Sequence, residues 1–199
     1  MLFLAYTGLR WGEAAALRVK ALDMLRRRVN VDQTVTEVSA VLIYGTPKSH
    51  SRRSVPFPRF LTEMLAEHCE GKRPDEFVFT APAGGALRNR NWRRRSFSPA
   101  MDKLLEIYPE LTRLTPHDLR HTAASLAISA GANVKAVQKM LGHASAAMTL
   151  DVHADLFDDD LNAVGEALSK AGDPAGVGKM WANRGHEDAG VTRTARKTP

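Results

Sequence analysis

Apolar residues recur at two different spacings along the chain, and the change of spacing separates helical from extended segments. Over residues 1–17 the spacing is helical, with a break at Thr7-Gly8, because glycine suits the position after a helix C-terminus. Between residues 19 and 58, short apolar runs separated by polar turns predict a small antiparallel sheet of about three strands. These runs contain Val29, Val31, Val35, Val38, Val41, Leu42, Ile43, Val55 and Phe57.

Capping residues predict where the later helices begin and end. Thr115 is a natural N-cap, Pro116 fits the first helical position, and Asp118 can reach back as a capping-box acid. Asn133 caps the next helix, which Gly142 ends. The predicted helices cover, approximately, residues 1–7, 11–17, 58–70, 97–107, 115–130, 133–142, 145–157 and 158–170.

The order of these elements indicates a fold class. Strands are grouped near the N-terminal third instead of alternating with helices, which argues against a parallel α/β fold. We therefore expect a mainly α-helical α+β domain with a small three-stranded antiparallel sheet over residues 1–170. Beyond residue 170 the composition turns to Gly, Pro and scattered charge, so residues 171–199 are predicted to be a flexible tail.

Charge and composition narrow the class of partner. The 199 residues carry a net charge of +6, and the pI is about 9.7, which favours a polyanion such as nucleic acid or an anionic membrane surface. The basic residues fall in loops and hairpins instead of along one helix face, which disfavours the membrane surface. Cys69 is the only cysteine, and no secretory signal or apolar run of about 20 residues is present, so we expect a soluble protein of the reducing cytosol.

The clearest chemical signal is the sequence Thr-Pro-His-Asp-Leu-Arg-His at residues 115–121. His117 and Arg120 are three residues apart, so they share a helix face near an N-terminus that already favours anions. A phosphate bound there could take a forked contact from Arg120 and a hydrogen bond from His117. The alternative is an ordinary surface helix with a chance His and Arg. Zinc binding by His117 and His121 is disfavoured, because the segment lacks the glutamate of H-E-x-x-H, and no metal site is predicted.

Three further segments carry polar residues in suggestive places. Arg10 precedes a short helix, and Glu13 follows three residues later, where it could cap the helix or support Arg10. Lys48 lies at a hairpin tip, from which an ammonium could protonate a leaving oxygen. His143 follows the helix-ending Gly142. Taken singly, each could equally be a solvated surface residue or a local helix-end contact.

Together and in this order, the four segments resemble the catalytic domain of the tyrosine recombinases, the phage integrase family, over about residues 1–170. The resemblance implies that two arginines clamp a scissile DNA phosphate, two histidines hydrogen-bond it and assist proton transfer, and a lysine acts as general acid toward the leaving 5′-hydroxyl. The residues in these roles are Arg10 and Arg120, His117 and His143, and Lys48, with Glu13 in support. The resemblance also implies that double-stranded DNA is the partner and that the assembly is a tetramer on two DNA sites. It further implies a cytoplasmic, nucleoid-associated location and no cofactor.

The chain departs from the family pattern at two places. The family's nucleophilic tyrosine, which forms a 3′-phosphotyrosyl link, corresponds to His153 in the segment Thr-Leu-Asp-Val-His. The shorter reach of an imidazole predicts that cleavage is absent or very weak, because a misplacement of about 1 Å can cost roughly 100-fold. The resemblance also predicts that the beginning of the first helix, and the separate DNA-gripping domain before it, are missing.

Several arginine runs suit a DNA-facing surface, although each is more often a solvated face. The residues predicted to bind DNA in this way are Arg52, Arg53, Arg90, Arg93 and Arg94.

Overall fold

The computed structural model describes residues 1–47 and 52–145, together with residues 147 and 169. The chain divides into two compact units, Met1–Ala154 and Asp155–Pro199. All of the fold described below belongs to the first unit. The predicted boundary at residue 170, the predicted tail and the two predicted helices beyond residue 145 lie outside the described residues, apart from residues 147 and 169.

Two short helices open the chain. Helix α1 covers Leu2–Thr7 and ends at Gly8 in the left-handed conformation, with φ at 63°. Helix α2 covers Trp11–Ala15. A Cβ at position 8 would lie 2.7 Å from a methyl carbon of Leu141 and 3.2 Å from Cβ of Ala123, so only glycine permits this close approach. The predicted break at Thr7-Gly8 is confirmed.

In the described ranges 1–47 and 52–145, five short strands form two separate sheets. Strands β1 (Leu22–Asp23), β2 (Arg28–Val31) and β5 (Arg53–Pro56) make a three-stranded antiparallel sheet in the order β1-β2-β5. Strands β3 (Thr34–Val38) and β4 (Val41–Gly45) pair only with each other. The predicted three-stranded antiparallel sheet is confirmed, but the apolar runs at residues 35–43 belong to the separate hairpin. The sequence does not predict strand β1, because a strand of two residues is too short to show an apolar period.

The remaining helices follow the sheets. Helix α3 covers Phe60–Cys69, and helix α4 covers Asn89–Trp92; a π-helical turn over Arg93–Phe97 then leads into helix α5, Ser98–Ile107. Helix α6 covers Asp118–Ser129, and helix α7 covers Val134–Leu141. Most of these ranges lie within two residues of the predictions.

The predicted caps of the last two helices are largely present. The Asn133 side chain accepts a hydrogen bond from the Lys135 amide at 2.8 Å, and Gly142 ends α7 with φ at 66°. The Thr115 amide donates to Oδ2 of Asp118 at 2.6 Å, as the capping box predicted. The helix itself begins at Asp118 with His117 at its N-cap, two residues later than predicted, so Arg120 lies in its first turn.

Helix α6 is the central element of the core. It packs against both α1 and α7, and α7 packs in turn against β5. The fully buried aliphatic side chains are Val29, Val55, Val78, Val137 and Leu141. This packing brings the beginning of the chain, the sheet and the end of α7 together around Arg120. Within the described part of the chain, none of the helices has the length and apolar character needed to cross a bilayer.

Candidate nucleic-acid phosphate site

Three of the predicted phosphate ligands line one cavity. Arg10 lies at the N-cap of α2, His117 at the N-cap of α6, and Arg120 in the first turn of α6. All three border a cavity of about 370 Å³, which Thr115, Asn89 and Arg93 also line. This cavity, called the Arg10 cavity below, combines two guanidinium groups with the N-terminal turn of a helix. Such an arrangement is suited to an oxyanion.

The Arg120 side chain is held inside the protein. Only 5% of the residue is exposed, and its two terminal nitrogens donate to the carbonyl oxygens of Gly8 and Leu141. Burial, followed by the charge of Arg10, lowers the pKa of Arg120 to about 10 against an opposing effect of Glu13. The side chain therefore carries its charge at neutral pH in an orientation fixed by two backbone carbonyls.

Glu13 is the anionic centre of the cluster. It is 2% exposed, and burial alone would raise its pKa, yet hydrogen bonds and charge from Arg53 and Arg10 hold the pKa below the usual glutamate range. The carboxylate accepts from the Arg10 amide at 2.8 Å and from Nη1 of Arg10 at 3.3 Å. The predicted supporting contact to Arg10 is therefore present in the structure.

The prediction that Arg53 faces DNA is not matched by its burial in the structure. We expected it on a DNA-facing surface, but its side chain is 7% exposed and forms a two-bond ion pair with Glu13, at 2.7 and 2.8 Å. The register of β2 and β5 explains the burial, because Arg53 pairs with Val31, whose side chain is in the core. Alternation with Val55 and Phe57 could have placed Arg53 on the buried face from sequence alone.

The cluster has an excess of positive charge. Three guanidinium groups, from Arg10, Arg53 and Arg120, surround the one carboxylate of Glu13. Among the described residues, two positive charges of the cluster therefore have no compensating carboxylate within it. Only Arg10 among the three has a substantially exposed side chain, at 34%. An anion that entered the cavity would meet this excess charge in partly desolvated surroundings, where electrostatic attraction is stronger than in water.

His117 is exposed and packs edge-on against His121, with ring centroids 5.0 Å apart. The pKa of His117 is lowered, first by partial burial and then by His121, Arg120 and Arg10, while Asp118 opposes the change. A neutral imidazole can donate one hydrogen bond and accept another. Among the described residues, no group of three or more His, Cys, Asp or Glu side chains could hold a metal ion.

His143 lies beside a different cavity. A space of about 630 Å³ is lined by His143, Arg52 and Arg53, and no lining residue is shared with the Arg10 cavity. The His143 amide donates to the Gln138 carbonyl at 3.1 Å, and Nε2 of Gln138 donates to the His143 carbonyl at 3.1 Å. Gln138, which sequence reasoning did not identify, thus fixes the turn that carries His143.

The remaining predicted site residues are distributed as follows. Arg90, Arg93 and Arg94 are exposed and line a cleft of about 1,050 Å³ that also borders Arg10. Pro47 lines the same cleft, but the adjacent Lys48 lies outside the described residues, as does His153. Asn89, which was not predicted, lines both the cleft and the smaller cavity.

Solved structures share this fold. The integrase of the Tn1549 transposon, solved in complex with transposon right end DNA, superposes with a TM-score of 0.69 at 26% identity, over 84% of this chain and 57% of that one. XerA recombinase has the same fold, with a TM-score of 0.56 at 21% identity, over 79% of this chain and 55% of its own.

Several curated proteins are similar to this chain in sequence. The transposase from transposon Tn916 of Enterococcus faecalis is 31% identical over 188 residues, which cover 85% of this chain and 45% of the relative. The integrase of Mycobacterium phage L5 is 31% identical over 179 residues, covering 84% and 45%. The chain thus spans less than half the length of these two relatives. The sequence profile of the phage integrase family matches residues 1–158, and the chain belongs to that family.

Proposed function

We propose that this chain is the catalytic core of a site-specific DNA recombinase and binds one phosphate of double-stranded DNA in the Arg10 cavity. The observation that carries the proposal is the convergence of Arg10, His117 and Arg120 on one cavity, although more than 100 residues separate the first from the other two. The relatives support it, because they are named as integrases, transposases and recombinases.

The described residues account for binding of the phosphate and for stabilising its negative charge. Arg10 and Arg120 line the same cavity, where their guanidinium groups can share the non-bridging oxygens of a phosphodiester. As negative charge builds up on those oxygens during attack at phosphorus, the two guanidinium groups stabilise it. His117 adds a hydrogen bond at the same oxygens. We propose that His143 supplies a second such bond.

Cleavage of the DNA strand also requires a nucleophile and a general acid. In the reaction that we propose for the family's intact site, a side-chain hydroxyl passes its proton to one of the two histidines as its oxygen attacks phosphorus, the bond to the 5′-oxygen breaks, and Lys48 gives that oxygen a proton. His153 occupies the nucleophile's place. No tyrosine lines the Arg10 cavity among the described residues, which include all three tyrosines of the chain.

This substitution favours a second candidate function for the chain as it stands, in which it binds DNA and does not cut it. The distal nitrogen of an imidazole lies roughly 2 Å nearer the backbone than a phenolic oxygen, and about 1 Å of misplacement can cost roughly 100-fold in rate. The two candidates share the phosphate site and differ only in strand cleavage.

A trapping experiment separates the two candidates. The parent chain, His153→Tyr and the matched control His153→Phe are incubated with nicked suicide duplexes of randomised sequence, and protein–DNA adducts that survive denaturant are counted. We expect all three proteins to bind duplex DNA, with an affinity that falls steeply with salt. Only His153→Tyr should form an adduct, and adding Arg10→Gln to it should abolish that adduct.

Two results would contradict these expectations. An adduct of the parent chain that maps to His153 would rule out binding without cleavage. An affinity for duplex DNA that does not change with salt would rule out both candidates, because each depends on phosphate contacts.

We propose further that the chain assembles on DNA as a homo-oligomer, with a tetramer on two sites as the full assembly, and that it acts in the cytoplasm on nucleoid DNA. Sedimentation velocity of the protein with and without duplex DNA tests the assembly. A complex with one protein per duplex at all concentrations would contradict it.

A further inference from the structure

The Arg53 side chain connects three parts of the molecule that are far apart in sequence. Its Nη1 and Nη2 atoms donate to the two carboxylate oxygens of Glu13 at 2.8 and 2.7 Å, across 40 residues. Its Nε atom donates to the Met140 carbonyl at 3.0 Å, across 87 residues. A planar guanidinium can make all three bonds at once because its donors point in fixed directions.

The first connection leads from Arg53 to Arg10. Both Arg53 and Arg10 donate to Oε1 of Glu13, and the Arg10 amide donates to Oε2. The two-bond pair with Arg53 therefore fixes the plane of the carboxylate that Arg10 contacts. Arg10 has the most exposed guanidinium of the cluster, so this contact decides how well its charge is directed at the cavity.

The second connection leads from Arg53 to the turn that carries His143. Gly142 packs directly on the guanidinium, since a Cβ at that position would lie 3.2 Å from Cδ and Nε of Arg53 and 3.3 Å from Cζ. The Met140 carbonyl receives the Nε bond two residues earlier in the chain. The end of α7 therefore rests on Arg53 through one hydrogen bond and one glycine contact.

We propose that Arg53 is a positioning residue of the phosphate site, which orients Arg10 through Glu13 and the His143 turn through Met140 and Gly142. This inference rests on the proposed function, because it assigns Arg53 a part in binding the same phosphate. The opposing explanation is that Arg53 stabilises the fold and has no effect on the ligand.

Arg53→Lys in the full chain tests the proposal, because lysine keeps the charge but cannot make the two-bond contact. The probe is inorganic phosphate, and its affinity is measured well below the unfolding temperature. The matched control is Arg73→Lys, which changes an 83% exposed arginine paired with Glu76. We expect about a tenfold loss of phosphate affinity for Arg53→Lys, equal to about 1.4 kcal/mol, and no loss for the control.

A second readout does not depend on phosphate. The rotation rate of the Arg10 guanidinium, measured by nitrogen-15 NMR, should rise in Arg53→Lys, because the carboxylate that holds it is less firmly oriented. Gly142→Ala, which presses on Arg53 from the other side, gives a second variant if Arg53→Lys does not fold. Its effect should reach Arg10 through Arg53 and Glu13.

The outcomes separate the two explanations. A folded Arg53→Lys with parental phosphate affinity and unchanged Arg10 rotation, but a lower unfolding temperature, would overturn the proposal in favour of a purely stabilising role. If the parent itself bound no phosphate, the proposed function would fail, and the Arg10 rotation rate would still decide whether Arg53 orients Arg10. Faster rotation with weaker phosphate binding in either variant supports the proposal.

Discussion

The molecule holds two sets of arginines in opposite physical states. Arg53 and Arg120 are buried, and each is bound by backbone carbonyls or a carboxylate. Arg90, Arg93 and Arg94 are exposed around a broad cleft. The buried set is held in direction by its hydrogen-bond partners, whereas the exposed set lies in contact with solvent. Arg10, partly exposed and held by Glu13, lies between the two.

The difference suggests that affinity for DNA and the geometry of the phosphate site depend on different arginines. Exposed arginines attract a phosphate backbone by releasing counterions, with little demand on orientation. Buried arginines cost desolvation energy and are retained where direction matters. We therefore expect mutations in the two sets to affect different measurements.

The largest effect should come from removing the anion on which the buried set depends. Glu13→Ala leaves the Arg53 guanidinium buried without its counter-charge, which should lower the free energy of unfolding by about 3–5 kcal/mol. Denaturant unfolding measures this decrease. The matched control is Glu76→Ala, which breaks an exposed pair with Arg73 and should cost about 0–1 kcal/mol. Equal decreases in the two variants would contradict the distinction between buried and exposed arginines.

The exposed set should show the reverse behaviour. Changing Arg90, Arg93 and Arg94 together to Gln should alter the free energy of unfolding by no more than about 0.5 kcal/mol for each substitution. The slope of log affinity for duplex DNA against log salt should become shallower by about 0.9 for each DNA phosphate that the variant no longer neutralises.

A control with the same change in charge makes this test specific. Arg59, Arg73 and Arg113 are exposed and line none of the cavities described above. Changing these three to Gln removes as much charge from elsewhere on the surface. An equal change of salt slope in both triple variants would show that the cleft has no special part in DNA binding.

The smallest effect concerns His117 and pH. Its lowered pKa means that the folded protein binds this proton less readily than an ordinary histidine does. A bound phosphodiester of duplex DNA, whose own charge does not change in this range, favours the protonated imidazole, so affinity for that phosphate should rise a few-fold as the pH falls below about 6.5, the ordinary histidine value. The groups facing His117 that also set this response are His121, Arg120, Asp118 and Arg10.

Titration of duplex DNA binding against pH measures this response, and His117→Gln should flatten it. An unchanged pH profile in His117→Gln would assign the response to another group, with His121 the nearest histidine.

Local signals in the sequence predicted much of the fold. Gly8, Asn133 and Gly142 ended or capped helices as expected, because caps depend on residues only a few positions apart. The pairing of Glu13 with Arg10 was predicted for the same reason. Strand β1 was missed because two residues carry no periodicity.

The burial of Arg53 depends on contacts that no local pattern contains. Its partners Glu13 and Met140 are 40 and 87 residues away, and they meet it only after β5 has paired with β2 and α7 has packed on β5. Sequence reasoning treated Arg52 and Arg53 as one basic run, whereas the strand's alternation separates them into an exposed and a buried residue. The predicted roles of Lys48 and His153 stay predictions, since both lie outside the described residues.

The most direct measurement is a titration of the parent chain with inorganic phosphate, followed by NMR of its arginine and histidine side chains. We predict that the signals of Arg10, His117 and Arg120 move together along one saturable curve, because the three line a single cavity. Signals from Arg90 and Arg94, which line the cleft and not this cavity, should move weakly and without saturation. Saturable shifts at the cleft arginines, with the three cavity residues unchanged, would contradict the central claim.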